Sequence, residues 1–269
     1  MSKTILITGS TDGIGLATAK ALMELGHNVL LHGRSAEKLE QTKQQLSSLS
    51  KNGKVHGYLA DFSNLAQVAK LAKTITDKHG KLDVLINNAG IFKVSHATTL
   101  GGFDVRFLVN TVAPFLLTQK LLPLMGPKGR VVNLSSAALA PVQIDALAGR
   151  KAPEDDFAAY AQSKLALTMW SQQLGDSLGA NGPVIIAINP GSMLATKMVK
   201  EGFGSEGSDI GIAVEVLVSA SLSDDFESAT GLYFDNDTGY FDAPHVDALD
   251  PQKRKNVVSV IEAILVELL

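Results

Sequence analysis

A tyrosine followed four residues later by a lysine, Tyr160 and Lys164 in YAQSK, is the pair in this chain best suited to acid–base chemistry. A free phenol titrates near about 10, too high for ready proton exchange at neutrality. In a helix the residue four positions on lies one turn away on the same face. A lysine ammonium placed there stabilises phenolate and draws the tyrosine toward the working range. Taken alone, Tyr-x-x-x-Lys also describes an ordinary amphipathic helix, so the rest of the chain must decide. Competing chemistries lack their parts. There is no cysteine, which removes disulfides, thiolate nucleophiles and cysteine metal sites. The six histidines show no metal-ligand spacing, and His27, His32 and His79 fall at element edges, so no metal is expected. No Gly-x-Ser-x-Gly elbow supplies a hydrolase nucleophile.

A second constellation stands near the N-terminus. Thr8 to Gly15 reads TGSTDGIG between an apolar run and a helical pattern. Gly9 permits a tight turn, Gly13 lets the backbone approach a pyrophosphate, and Gly15 lets the helix pack closely on a sheet. Ser10, Thr11, Asp12 and Ile14 complete the turn that would wrap a cofactor, and the helix N-terminus offers N–H groups and positive dipole to its phosphates. The residues after the second strand bear on which dinucleotide fits. NAD readers place a carboxylate there, NADP readers an arginine for the 2′-phosphate. Here Leu31-His32-Gly33 runs into Arg34 and Ser35, both phosphate donors, the arginine bidentate. NADP(H) is therefore expected, with NAD(H) the alternative, and Asp12 works against that preference. Lys164 could also hydrogen-bond the nicotinamide ribose, joining the two constellations.

Such residues need a scaffold that brings distant segments together. Short β-branched runs at 4–8, 28–31, 54–60, 84–87, 130–134, 183–188 and 231–234 alternate with helical patterns at 13–25, 36–49, 65–79, 103–124, 157–178 and 210–220. This alternation predicts an α/β fold: one Rossmann-type doubly wound domain over 1–269, its mostly parallel sheet of about seven strands covered by helices on both faces. A terminal helix is expected over 257–269. The segments 140–156 and 191–209 read as loops, long enough to be mobile walls over a ligand. With 269 residues and a formal charge of −3 in mixed signs, no nucleic-acid surface is expected. No signal-peptide pattern and no membrane-spanning run is read, so a cytoplasmic location is expected and membrane attachment is the weaker reading.

With these motifs in order, the chain resembles the short-chain dehydrogenase/reductase family, in its Tyr-x-x-x-Lys branch. The resemblance rests on TGSTDGIG, Asp61-Phe62, NNAG at 87–90, Asn110 in VNTVAPF, Ser135-Ser136, YAQSK, and NPG at 189–191, spread over nearly the whole length. It implies that Ser136, Tyr160 and Lys164 are catalytic and that Asn110 joins a proton relay through water and Lys164. It places Asp61 and Phe62 at the adenine, Asn88, Ala89 and Gly90 along the ribose, and Pro190, Gly191, Met193 and Thr196 near the nicotinamide. The interval from Ser136 to Tyr160 is longer than in the family's shortest members, and the excess, 140–156, resembles the insertion of retinol-dehydrogenase-like members. Where the family often has Pro-Gly-x-Val-x-Thr, Met193 takes the valine place and Thr196 falls one position late.

The expected function is interconversion of a ketone or aldehyde and an alcohol by hydride transfer, with Tyr160 as acid/base. Other readings are a sugar-nucleotide epimerase or dehydratase, and a non-catalytic NADP-sensing protein. Ile91, Phe92, Val142, Ile144, Leu147, Met193, Met198 and Phe203 are candidate pocket residues and favour a hydrophobic small-molecule substrate. Leu165, Leu167, Trp170, Leu174 and Leu178 give the tyrosine helix more apolar coverage than one face needs, which suggests a homodimer or homotetramer through it.

Overall fold

Eight strands form a single sheet in the computed structural model, which describes residues 2–49 and 52–269, the side chain of Phe203 excepted. They are β1 (Thr4–Ile7), β2 (Asn28–Gly33), β3 (Val55–Leu59), β4 (Val84–Asn87), β5 (Arg130–Leu134), β6 (Val184–Asn189), β7 (Tyr233–Asp235) and β8 (Tyr240–Asp242). Their order is β3-β2-β1-β4-β5-β6-β7-β8, all parallel except the β7–β8 hairpin. β8 was not expected. Its three residues sit on the sheet edge, exposed, so no buried alternation marks them.

Strand residues alternate between two cores. Ile5 and Ile7 face α1 (Gly13–Glu24), α2 (Ala36–Ser47) and, farther along the chain, a helix at Gly211–Leu222. Leu6, between them, faces the layer formed by α3 (Leu65–Lys78), α4 (Val105–Phe107) and α5 (Ala113–Leu121). Burial on both faces explains the unbroken apolar runs in the central strands. A π-helical turn, Leu108–Val112, joins α4 to α5 where an uninterrupted helix was expected. The stretch Val105–Leu124 has the length and mean hydropathy (1.3) of a membrane span, contrary to expectation, but 72% of that window is buried in the protein. It is a core helix here.

The two long loops carry structure of their own. Segment 140–156 contains α6 (Ile144–Leu147), with Ala146 and Leu147 fully buried, and Gln143 N–H donates to Gln162 Oε1 at 2.9 Å. It leads into α7 (Asp156–Leu178). Segment 191–209 contains α8 (Lys197–Phe203) and closes on itself by a bridge between Leu194 and Ser208. Then come α9 (Gly211–Leu222), α10 (Val246–Leu249) and α11 (Pro251–Leu268).

The C-terminal helix begins earlier than expected because Asp250 caps it, accepting from Gln252 and Lys253 N–H. It lies along α7 through Val257, Ile261 and Ile264, all buried. That explains the surplus apolar face of α7: Leu165, Leu167, Trp170 and Leu174 are buried within the chain itself. Since Ile261 is fully buried in this seam, Ile261→Ala should lower unfolding free energy by about 2–5 kcal/mol. Urea denaturation measures it, and a loss below 1 kcal/mol at unchanged slope would show that α11 contributes little.

Candidate active site

The sheet order reverses between β1 and β4, since β1 leads to β2 on one side and β4 pairs on its other. Ligands in open α/β sheets sit beyond the strand C-termini at such a switch point, and the glycine turn occupies that place. Gly9 and Gly13 have φ of +64° and +51°, the left-handed region that glycine alone enters freely. A Cβ on Gly15 would lie 2.4 Å from both Asn88 Nδ2 and Gly9 O, so this position tolerates no side chain. At Gly13 nothing lies within 4 Å of such an atom, which leaves open space above the turn.

Asn88 holds the turn instead of facing outward. Its amide donates to Thr8 O at 2.8 Å and Gly9 O at 3.1 Å, while Thr8 Oγ1 accepts from the N–H of Asn88 and Ala89. Beneath lies His32, at the end of β2. Its Nδ1 accepts from Gly9 N–H and its Nε2 faces Ala60 O, both at 3.1 Å, so the ring is neutral with the proton on Nε2. Burial pushes it down to about 4, which keeps that tautomer through the neutral range. Ser10 is locked to the backbone of His32 in both directions. Phe62 is buried with its ring stacked on His32 at 4.3 Å. Asp61 accepts from Ser63 N–H and Oγ–H.

At the start of α2, Ser35 is the N-cap and accepts from Lys38 N–H at 3.4 Å. Arg34 beside it is exposed and has no hydrogen-bond or ion-pair partner among the described residues. Asp12 caps α1 through Gly13 N–H and pairs with Lys38 at 3.8 Å.

The other constellation converges beyond β5 and β6. Tyr160 lies on α7 and lines one cleft with Ser136. Its ring packs edge-on against Phe92 at 5.3 Å. Lys164 is buried, donates to Leu134 O at 2.7 Å, and holds Nζ 5.7 Å from the Tyr160 ring centre. Burial raises the Tyr160 phenol, with the Ser136 side chain acting against it, and lowers the Lys164 ammonium to about 8. The expected lowering of the tyrosine by the lysine is absent: desolvation sets the direction and Ser136 alone opposes it. A Cβ built on Gly90 would meet Lys164 Nζ at 3.4 Å and Asn110 Oδ1 at 3.5 Å, so both side chains flank that backbone. Asn110 sits within the π turn, completely buried, exchanging hydrogen bonds with the Ile91 backbone and donating to Ser163 Oγ. It fixes the segment after Gly90.

A cleft of about 190 Å³ joins the two ends, with Ile14 of the glycine turn at one side and Ser136 and Tyr160 at the other. Pro190, Gly191, Met193 and Thr196 line it as expected, though Thr196 is held as the N-cap of α8 through Val199 N–H. Met193 has φ +51°, strain of order 1 kcal/mol for a residue with a side chain. Phe92 and Met198 line the cleft as expected, and so does Phe157, which was not among the expected pocket residues. Ile91, Val142, Ile144 and Leu147 do not; they pack on the core, so segment 140–156 braces α7 and is no flap over the ligand. The Phe203 side chain lies outside the described residues.

The family model for short chain dehydrogenases matches residues 3–206. The chain belongs to that family. Human retinol dehydrogenase 13 is 34% identical over 193 residues, 70% of this chain and 58% of that protein. Human polyprenol dehydrogenase is 36% identical over 196 residues, 69% of this chain and 59% of that protein. The matched stretch thus spans less than two thirds of these dehydrogenases. A short chain dehydrogenase from Burkholderia cenocepacia J2315, solved in complex with NADP, superposes with a TM-score of 0.71 at 26% identity, covering 87% of this chain and 95% of that one.

Proposed function

We propose that this short chain dehydrogenase interconverts a carbonyl and an alcohol with NADP(H). The observation that carries the reading is one cleft shared by the glycine turn, Ser136 and Tyr160, with Lys164 one helical turn from the tyrosine. The residues fit a dinucleotide: open space over Gly13, a helix N-terminus beneath it, and an exposed Arg34 at the end of β2 that has no partner among the described residues and would hold a 2′-phosphate. The NADP complex of the Burkholderia relative supports the same reading. The nicotinamide, when bound, supplies or takes the hydride. In the reductive direction Ser136 hydrogen-bonds the carbonyl oxygen and Tyr160 donates its phenolic proton to that oxygen as the alkoxide forms. Lys164, charged below about pH 8, stabilises the phenolate left behind. Phe92, Phe157, Met193 and Met198 make the walls apolar, which suits an extended hydrophobic ketone, aldehyde or alcohol.

The test is NADPH oxidation, followed by absorbance, across a panel of aldehydes and ketones of increasing chain length. Turnover should rise with apolar bulk and be faster with NADPH than NADH. Tight NADPH binding with no turnover on any carbonyl or alcohol would instead indicate a cofactor-binding protein without redox activity.

A further inference from the structure

The β7–β8 hairpin lies beyond residue 206, where the family match ends, and it grips the cleft from behind in two places. Tyr233 donates its hydroxyl to Ser136 O at 3.1 Å. The hairpin turn reaches under the segment that follows β6. Asp237 accepts from Ser192 N–H at 2.8 Å, from Ser192 Oγ–H, and from Asn189 Nδ2 at 2.9 Å. Asp235 takes the other Asn189 amide hydrogen at 2.7 Å, and Asn236 Nδ2 donates to Pro190 O at 3.0 Å. The next residue is Met193, left-handed at φ +51° and lining the cleft. A residue with a side chain stays in that region only where its surroundings over-determine it. On the far side Ser208 N–H donates to Met193 O and Ala195 N–H to Ser208 O, both at 2.7 Å. Met193 is therefore pinned before and behind, and Asp237 is the charged end of the first clamp.

We propose that Asp237 is a positioning residue that, through Ser192 and Asn189, holds the strained Met193 segment as one wall of the cleft and thereby selects among substrates. The proposal rests on the oxidoreductase reading of that cleft. Asp237 touches the cleft only through these neighbours, and its exposed place in the turn makes Asp237→Ala compatible with folding. Asp237→Asn keeps one acceptor for Ser192 and should fall between Asp237→Ala and the unaltered protein.

Two readouts are needed, amide hydrogen exchange by mass spectrometry and kcat/KM over the carbonyl panel. In Asp237→Ala, exchange in residues 189–194 should accelerate while the β1–α1 turn keeps its protection. The specificity constant should fall about tenfold, unevenly across substrates, the size expected for coupled neighbours. Glycine adopts positive φ without strain, so in a Met193→Gly background the same change should cost less than about threefold. Unchanged exchange overturns the proposal, as does an equal loss in both backgrounds or the same factor for every substrate. Should the unaltered protein turn over no carbonyl, the functional reading fails in that control, and the exchange experiment alone decides the clamp.

Discussion

Tyr160→Phe should lower kcat for carbonyl reduction by about 10²–10⁴-fold while the protein stays folded and still binds NADPH. The variant removes one oxygen, the hydroxyl that shares the cleft with Ser136 and has a lysine one turn away. Its ring still packs on Phe92, so no cavity opens and the melting temperature should barely move. The pH profile follows from two opposite shifts. Burial raises the phenol, so Tyr160 holds its proton through neutrality and is ready to donate it. Burial lowers Lys164 to about 8, so its positive charge is present below that value and lost as pH rises through it. Reduction should therefore be level on the acid side and decline above about pH 8, whereas alcohol oxidation, which needs the phenolate, should gain with pH. Lys164→Met should abolish the decline along with most of the rate, and should also weaken cofactor binding, which Tyr160→Phe does not. A Tyr160→Phe protein with near-normal kcat would remove the tyrosine from the chemistry.

The central strands were legible in the sequence because burial on both faces writes continuous apolar runs, and the parallel order followed from their alternation with helices. β8 was not, since an edge strand of three exposed residues leaves no pattern. The site was legible where chemistry demands a residue type: Tyr160, Lys164, Ser136 and the glycines. It was not where a residue's work is done through a neighbour. His32 looked like an edge residue because its partners, Gly9 and Ala60, come from strands and turns far off in sequence. Arg106 gave no signal either, although it is buried between Asp104 and Asp156 and ties α4 to the first turn of the tyrosine helix. The segment 140–156 is a loop as expected, but its length suggested a mobile wall, whereas Ala146 and Leu147 are buried in the core, on a short helix packed against α11. Composition shows that a residue is apolar; it does not show whether the apolar neighbour is a ligand or the core.

Arg34→Gln should weaken NADPH binding by roughly 10- to 150-fold and leave NADH binding nearly unchanged, the loss of one charge-assisted phosphate bond worth about 1.5–3 kcal/mol. Arg34 is free to make that bond because it is exposed and unpartnered among the described residues. Ser35 has its oxygen committed to the helix cap, with its O–H still available to donate. Asp12 brings a carboxylate into the same region, which would oppose a 2′-phosphate if it stood alone. It does not: its carboxylate caps α1 through Gly13 N–H and faces Lys38 at 3.8 Å, so its charge is partly offset. The offset is small, since an exposed pair contributes about 0–1 kcal/mol and is screened by salt. Arg34 must therefore carry most of the preference, and NADPH affinity should fall with ionic strength more steeply in the unaltered protein than in Arg34→Gln. Titration calorimetry with both cofactors at two salt concentrations measures each quantity. Equal affinity for NADPH and NADH before any substitution would place the 2′-phosphate away from Arg34, and the cofactor assignment would then revert to NAD(H).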